Sequence, residues 1–193
     1  MEKPYAVVFA GVPGTSKSAI AYNLSWNFNL PILSNDSVRF EVKEDLRVES
    51  LSIKEDLVFS TANQNGALAE YEKRIKERRN TILAIGRSVI FDGSVDRRWG
   101  EVKEELQEHS YDWFMINMEL SRPFLTGLYM STGRESFMPQ LSDYMEDHRR
   151  FLSRYADDIY LEITDEDFSD RLQVSVNGLR QFLGSVEEDR QVA

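Results

Sequence analysis

The chain has no cysteine among its 193 residues, which excludes disulfide bonds and thiolate metal sites. It has no run of about 18 apolar residues, so the sequence predicts no membrane-spanning helix. It has only two histidines, His109 and His148, and neither has a partner at the spacing of a metal site. His148 falls on the apolar face of a predicted helix, where a hydrogen-bonded, partly buried histidine is expected rather than a catalytic one.

Basic residues are few relative to acidic ones: 23 Lys and Arg stand against 33 Asp and Glu, for a formal net charge of −10. A broad nucleic-acid surface is normally basic, so nucleic acid is not an expected partner, whereas a local basic cleft is compatible with this balance. The N-terminal residues Met1-Glu-Lys-Pro do not resemble a signal peptide, and we expect a cytoplasmic protein that does not bind membranes. The oligomeric state is left open.

Short apolar runs alternate with segments of helical spacing, a pattern typical of a parallel sheet covered on both faces. The length predicts one α/β domain, over residues 1–185, followed by an acidic tail over 186–193. Strands are predicted near residues 5–10, 31–34, 88–92, 112–119 and 158–163. Helices are predicted near residues 17–29, 36–47, 53–62, 67–85, 97–109, 121–131, 139–155 and 166–184.

The first predicted strand leads into Gly-Val-Pro-Gly-Thr-Ser-Lys-Ser at residues 11–18, and a helix follows. A strand, a glycine-rich turn and a helix that opens with Lys-Ser are typical of a phosphate-binding loop. Backbone amides and the helix N-terminus attract phosphate, Lys17 would neutralise the outer phosphates, and the Ser18 hydroxyl would ligate Mg²⁺. The residues predicted to bind ATP or GTP are therefore Gly11, Val12, Pro13, Gly14, Thr15, Ser16, Lys17 and Ser18.

Ser16 is the irregular residue of this motif, because glycine usually precedes the lysine. If its Cβ strains the loop, activity could be lost while the fold survives, and glycine at this position would improve nucleotide binding. If the loop has adapted to serine, for example through its hydroxyl, glycine would be neutral or harmful. We favour adaptation between these two hypotheses.

Two further acidic positions follow predicted strands. Asp92 ends the apolar run Ser88-Val-Ile-Phe-Asp, where a carboxylate that helps to hold Mg²⁺ is expected in a protein with a phosphate-binding loop. Asp36 and Arg39 follow the second strand and share one helix face. Asn35 or Asp36 could cap the helix while Arg39 pairs with Asp36 on the surface. Beside a phosphate-binding loop we favour instead a carboxylate that accepts a hydroxyl proton and a guanidinium that binds an anion.

These three motifs together resemble the small P-loop kinases of the adenylate-kinase-like group. Within this group, the chain most resembles zeta-toxin-like kinases, polynucleotide 5′-kinases, chloramphenicol phosphotransferase and 2-phosphoglycerate kinase. The resemblance implies the P-loop NTPase fold, with a five-stranded, mostly parallel sheet in the order 2-3-1-4-5, helices on both faces and a small lid. It also implies ATP–Mg²⁺ as phosphoryl donor, Asp36 as base and Arg39 as acceptor ligand.

The lid segment, about residues 121–140, departs from this family because it has few arginines. Only Arg134 stands where a catalytic lid arginine is expected, and Leu128 and Thr132 occupy positions where arginine is typical. Arginines elsewhere could substitute if they face the cleft. They are Arg149, Arg150 and Arg154 on the next helix, and Arg97 and Arg98 after the strand that contains Asp92.

The sequence therefore predicts an ATP- and Mg²⁺-dependent kinase that phosphorylates a hydroxyl group of a small-molecule or nucleotide-like acceptor. In this hypothesis the catalytic residues are Lys17, Asp36, Arg39 and Arg134. The alternative is a nucleotide-binding regulatory protein with little or no turnover, which Ser16 and the arginine-poor lid segment favour. A nucleic-acid end kinase fits less well, because the chain is acidic.

Overall fold

The computed structural model describes residues 3–46 and 66–192, with side chains through residue 185. The helix predicted over residues 53–62 lies outside the described residues. The five strands are β1 (Tyr5–Ala10), β2 (Ile32–Ser34), β3 (Val89–Ser94), β4 (Asp112–Met118) and β5 (Leu161–Ile163). The helices are α1 (Lys17–Phe28), α2 (Asn35–Asp45), α3 (Ala67–Ile85), α4 (Trp99–Glu108), α5 (Arg122–Ser131), α6 (Leu141–Tyr155) and α7 (Arg171–Val192).

All five strands are parallel and form one sheet in the order β2-β3-β1-β4-β5. This confirms the predicted order 2-3-1-4-5. In register, Ser34 at the end of β2 pairs with Asp92 in β3, and Ala10 at the end of β1 pairs with Asn117 in β4. The loops that leave these strands therefore meet at the carboxyl edge of the sheet, where ligands bind in open α/β folds.

Each face of the sheet is covered by helices, because successive side chains of a strand point to opposite faces. In β1, Val7 and Phe9 pack against α1, α5 and α7, whereas Ala6, Val8 and Ala10 pack against α2, α3 and α4. Both sets are fully buried. The near-continuous apolar runs seen in the sequence follow from this burial on both faces.

Helix α6 belongs to both cores. Leu141 and Tyr144 in its first half pack into the α1 side, and Phe151 in its second half packs into the other side. Between them, His148 contacts Glu119, directly after β4. The helix therefore crosses the carboxyl end of β4.

Helix ends follow local chemistry. Gly86 ends α3 in the left-handed conformation and donates its amide to the Leu83 carbonyl. The hydroxyl of Ser34 caps α2, so neither Asn35 nor Asp36 is the cap. Helix α7 continues to Val192, and the division of the chain at residue 186 stays a prediction. None of the described helices is long and apolar enough to cross a membrane.

The glycine loop, residues 11–18, joins β1 to α1 and begins with a close approach to β4. Gly11 has a φ of 118°, and a Cβ added to it would lie 2.7 Å from Met118 Cβ and 3.0 Å from the Met118 carbonyl oxygen. A real side chain cannot occupy that space without moving β4 or the loop. Gly11 therefore sets how closely the glycine loop packs on the sheet.

Gly11→Ala tests this contact, and Gly86→Ala is the matched control. Both positions have positive φ, but nothing lies within 4 Å of a Cβ at Gly86. We expect Gly86→Ala to cost about 1 kcal/mol from backbone strain alone, and Gly11→Ala about 2–5 kcal/mol because overlap adds to strain. Urea denaturation measures both free energies of unfolding. Equal losses would show that the approach to Met118 does not constrain the loop.

Candidate active site

The backbone of the glycine loop has a positive φ at three positions. Gly11, Gly14 and Ser16 have φ values of 118°, 78° and 67°. Ser16 is also the N-cap of α1, where no side chain caps the helix and no acidic residue occupies its first turn. The positive end of the α1 dipole and its first amides therefore remain available to an anion.

Lys17 is buried, and its ammonium group donates three hydrogen bonds within the loop. It donates to the carbonyl oxygens of Gly11 at 2.7 Å and Val12 at 2.6 Å, and to Thr15 Oγ1 at 3.3 Å. Burial lowers the pKa of Lys17 from 10.5 to about 8, while nearby Asp96 and Asp92 oppose that change. A bound anion would raise the pKa of Lys17, because a nearby negative charge stabilises the charged ammonium form.

Ser18 and Asp92, which the sequence predicted as ligands of Mg²⁺, lie within hydrogen-bond distance of each other. Ser18 Oγ donates to Asp92 Oδ1 at 2.9 Å, across 74 residues of sequence. Burial raises the pKa of Asp92, and Asp36 raises it further, whereas the Ser18 hydrogen bond and Lys17 lower it. One hydroxyl and one carboxylate are hard oxygen donors, and Mg²⁺ commonly takes few protein ligands and keeps several waters. This pair therefore fits Mg²⁺.

Asp36 and Arg39 lie at the same edge of the sheet, on the first turns of α2. Arg39 Nη1 donates to Asp36 Oδ1 at 2.9 Å, and the Arg39 guanidinium lies 5.7 Å from the centre of the Tyr71 ring. Asp36 is close enough to Asp92 to raise its pKa, so the two carboxylates lie near each other. The predicted ion pair of Asp36 with Arg39 is present. Their roles as base and anion ligand stay predictions.

The lid segment contacts the glycine loop through two side chains. Arg134 Nη1 donates to the Gly14 carbonyl at 2.7 Å, and the Tyr129 hydroxyl donates to the Pro13 carbonyl at 2.6 Å. Sequence analysis selected Arg134 and missed Tyr129. The signal for Tyr129 was its place on the apolar face of a predicted helix, because a buried tyrosine hydroxyl needs a hydrogen-bond partner.

Four of the other candidate arginines, Arg97, Arg98, Arg149 and Arg150, have partners away from the glycine loop, and Arg154 is exposed on α6. Arg149 and Arg150 pair with Glu146 and Arg150 also with Asp147, on their own helix α6. Their charges form an exposed helical face, and they do not replace lid arginines in this arrangement.

Arg97 and Arg98 point away from each other. Arg97 Nε donates to Asp147 Oδ2 at 2.7 Å on α6, whereas Arg98 pairs with Glu72 on α3. Arg98 also lies near Tyr71. Burial raises the pKa of Tyr71, and the charges of Arg39 and Arg98 both lower it. Of the two residues, Arg98 is therefore on the same side of the cleft as Arg39.

Asp96 is the main residue that sequence analysis did not find. Its Oδ1 accepts the Gly11 amide at 2.9 Å and the Ser94 hydroxyl at 2.6 Å, and its Oδ2 lies 2.8 Å from His148 Nδ1. It is joined to the glycine loop by tertiary structure alone, 85 residues along the chain. The sequence shows only a polar residue shortly after a strand, which is common in turns.

Solved structures share this architecture, although no protein-family model and no curated protein matches the sequence. A candidate kinase from Chloroflexus aurantiacus is 19% identical with a TM-score of 0.60, over 96% of this chain and 98% of its own. Shikimate kinase from Acinetobacter baumannii, in complex with shikimate, is 14% identical with a TM-score of 0.58, over 95% and 96%. A gluconokinase from Sinorhizobium meliloti is 13% identical with a TM-score of 0.52, over 98% and 99%.

The chain has the fold of the P-loop kinases. The likeness extends over nearly the whole length of both chains in each comparison, so the sheet, the helices and the lid segment are all part of it. The P-loop kinase fold was predicted from three short motifs, and it is confirmed. At identities of 13–19% the likeness is one of fold, and the roles of individual residues are proposed below from their geometry.

Ser16→Gly should stabilise the protein, because Ser16 adopts a left-handed conformation that disfavours a Cβ, and no hydrogen bond of its side chain caps α1. The expected gain in the free energy of unfolding is about 0.5–1 kcal/mol. Glycine relieves the backbone strain, but it also gives the unfolded chain more conformational freedom, which offsets part of the gain. Ser110→Gly is the matched control, since Ser110 has a φ of 59° outside the site. The gain expected for Ser16→Gly goes against the adaptation favoured from the sequence, because no hydrogen bond of the Ser16 side chain caps the helix. Thermal denaturation measures both variants, and a loss for Ser16→Gly alone would support adaptation of the loop to serine.

Proposed function

We propose that this protein is an ATP- and Mg²⁺-dependent kinase that transfers the γ-phosphoryl group to a hydroxyl group of a small-molecule or nucleotide-like acceptor. GTP is the alternative donor. One observation carries this proposal: the Ser18–Asp92 hydrogen bond of 2.9 Å joins the glycine loop to β3, with Lys17 and Asp36 both near Asp92. Phosphate-binding, metal-binding and base groups thereby converge on one cleft.

The reaction exchanges one phosphorus–oxygen bond for another. The acceptor oxygen bonds to the γ-phosphorus of the donor while the bond from that phosphorus to the bridging oxygen breaks, which yields the phosphorylated acceptor and the nucleoside diphosphate. The hydroxyl proton passes to the Asp36 carboxylate, which is exposed and is held by Arg39. Catalysis is then mainly positioning and electrostatic stabilisation.

The residues around the donor phosphates have separate tasks. Lys17 exchanges its hydrogen bonds with the loop carbonyls for bonds to phosphate oxygens, and the amides at the start of α1 add further donors. Ser18 and Asp92 would hold Mg²⁺, which would neutralise charge on the outer phosphates when bound. Arg134, which bridges the lid segment to Gly14, would stabilise the charge of the transferring group.

Arg39 and Arg98 favour an acceptor that carries an anionic group. Both approach Tyr71 on the α2–α3 side of the cleft, and a guanidinium can bind a carboxylate or phosphate with two parallel hydrogen bonds. Two of the compared proteins, shikimate kinase and gluconokinase, are named for small-molecule acceptors, which also supports a small molecule as the acceptor. Nucleic acid and membranes are not proposed as partners, and the cytoplasm is the proposed location.

A nucleotide-binding regulatory protein is the second candidate, and the left-handed Ser16 favours it. Strain in the glycine loop could leave nucleotide binding intact and slow transfer. The two candidates differ in the role of Asp36. The kinase needs Asp36 for phosphoryl transfer, whereas in the regulatory protein this residue has only a structural role. A screen for phosphotransfer to sugars, glycerates, nucleosides and DNA ends identifies the acceptor on which that difference is measured.

Lys17→Ala should weaken the binding of the Mg²⁺ complex of AMPPNP at least tenfold, or about 1.4 kcal/mol, because a buried cation leaves the phosphate site. The pKa of about 8 adds a second signature. At pH 8 roughly half of Lys17 is neutral, so binding should take up about half a proton in the wild type and none through this residue in Lys17→Ala. Calorimetry in two buffers of different ionisation enthalpy measures affinity and proton uptake together.

The control for that experiment is Lys76→Ala, which removes an exposed lysine that lies 3.7 Å from Glu101. It should match the wild type in affinity and in proton uptake. Wild-type affinity in Lys17→Ala would contradict the assignment of the glycine loop as the phosphate site.

Asp36→Asn should lower kcat for the identified acceptor by about 10²–10⁴-fold while nucleotide affinity changes little. The amide keeps the shape of the side chain but cannot take the hydroxyl proton. Asp45→Asn is the matched control, since Asp45 lies at the far end of α2 and pairs with Arg74 at 2.6 Å. Wild-type transfer by Asp36→Asn would remove Asp36 as the base, and nucleotide binding without transfer to any acceptor would favour the regulatory function.

A further inference from the structure

His148 bridges two carboxylates inside the protein. Its Nδ1 lies 2.8 Å from Asp96 Oδ2 and its Nε2 lies 3.1 Å from Glu119 Oε2, and 8% of the side chain is exposed. A carboxylate only accepts, so both ring nitrogens donate and the ring is an imidazolium. Burial lowers the pKa of His148, but the hydrogen bonds to Asp96 and Glu119 outweigh it and raise the pKa to about 9.

The carboxylate on the Nδ1 side is also the group that holds the glycine loop. Asp96 Oδ1 accepts the amide of Gly11 at 2.9 Å, and Gly11 is the residue whose approach to β4 positions the loop. The Ser94 hydroxyl occupies the same oxygen at 2.6 Å. Asp96 is therefore fixed on one oxygen by the loop and by β3, and on the other by His148.

The chain around His148 is rigid on both sides. Its ring stacks on Phe151, with centroids 6.0 Å apart and planes 13° apart, and Phe151 lies in the core on the α2–α4 side. One turn earlier, Tyr144 lies in the core on the α1 side. Because α6 is anchored in both cores, a hydrogen bond from His148 can hold Asp96 in one position.

The charges that face this group come from four places. Asp96 follows β3 and Glu119 follows β4, Lys17 opens α1 and acts on Asp96, and Asp165 lies beyond Glu119 after β5. Without a positive charge at His148, Asp96 would lie beside the glycine loop with Lys17 as the cation that acts on it among the described residues. In the part of the chain that the structure describes, no group of three or more His, Asp or Glu side chains could hold a metal ion.

We propose that His148 is a positioning residue of the nucleotide site, which fixes the Asp96 carboxylate on the first amide of the glycine loop and ties the loop to α6 and to the end of β4. This role rests on the proposed function, because it concerns the affinity for the donor nucleotide. His148 touches neither nucleotide nor acceptor in this role. It acts through Asp96 on the Gly11 amide.

The test uses His148→Gln and, as the matched control, His109→Gln, which replaces the other histidine at the end of α4. AMPPNP with Mg²⁺ is the probe. We expect about tenfold weaker binding for His148→Gln at pH 7 and wild-type binding for His109→Gln. Lys17→Ala in the same series separates the two proposals. Weak binding by Lys17→Ala with wild-type binding by a folded His148→Gln overturns only the role of His148, whereas unchanged binding in both overturns the phosphate site itself.

A second readout follows the hydrogen bonds directly in the protein without nucleotide. In NMR titrations the ring signals of His148 should show a midpoint near pH 9, and the Gly11 amide signal should move with the same midpoint in the wild type but not in His148→Gln. Lys17 titrates near pH 8 and bonds to the Gly11 carbonyl, so the titration is repeated in Lys17→Ala, where the movement near pH 9 should remain. A Gly11 amide that ignores His148 overturns the proposal, because a merely structural histidine would lower stability without moving that signal.

Glu119→Gln keeps the test decisive if His148→Gln does not fold. It removes the more exposed carboxylate, 45% exposed, and leaves the ring and Asp96 in place. The midpoints of His148 and of the Gly11 amide should then fall together, because one of the two groups that raise the pKa is gone. A fall for His148 without a matching fall for Gly11 overturns the coupling.

Discussion

The contact of Gly11 with β4, together with the hydrogen bond from its amide to Asp96, determines where the glycine loop lies. Gly11 passes so close to Met118 that no Cβ fits, and Asp96 Oδ1 holds the Gly11 amide at 2.9 Å. Lys17, at the start of α1, depends on that position for its bonds to the first two carbonyls of the loop. The proposed phosphate site therefore depends on residues outside it, in β4, in α6 and in the turn after β3.

An acidic protein with a net charge of −10 can still attract polyphosphate, because local groups outweigh the total at short range. The loop amides and Lys17 form the positive part of the site. The nearby carboxylates are each engaged: Asp92 by Ser18, and Asp96 by Gly11, Ser94 and His148. Burial keeps these interactions strong, since there is little water to screen them.

The lid segment uses fewer arginines than its resemblance to kinases predicted, and a tyrosine takes part of their place. Tyr129 and Arg134 each donate to a carbonyl of the glycine loop, at Pro13 and Gly14. The Tyr129 ring also packs on Phe137, with centroids 5.5 Å apart. One aromatic side chain thus joins the hydrophobic core to the loop, which an exposed arginine could not do.

The sequence by itself determined the fold and the residues at strand ends. Local patterns suffice for this, because apolar runs, glycines at sharp turns and helical spacing act over a few residues, and parallel strands bring their carboxyl ends to one edge. Gly11, Lys17, Ser18 and Asp92 were proposed in this way, and Ser18 and Asp92 form a hydrogen bond in the structure. Only tertiary structure decided that Asp96 holds Gly11 and that Arg149 and Arg150 stay on their own helix. A hydrogen bond across 85 residues of sequence has no local period or spacing, since it depends on how α6 and the turn after β3 pack together.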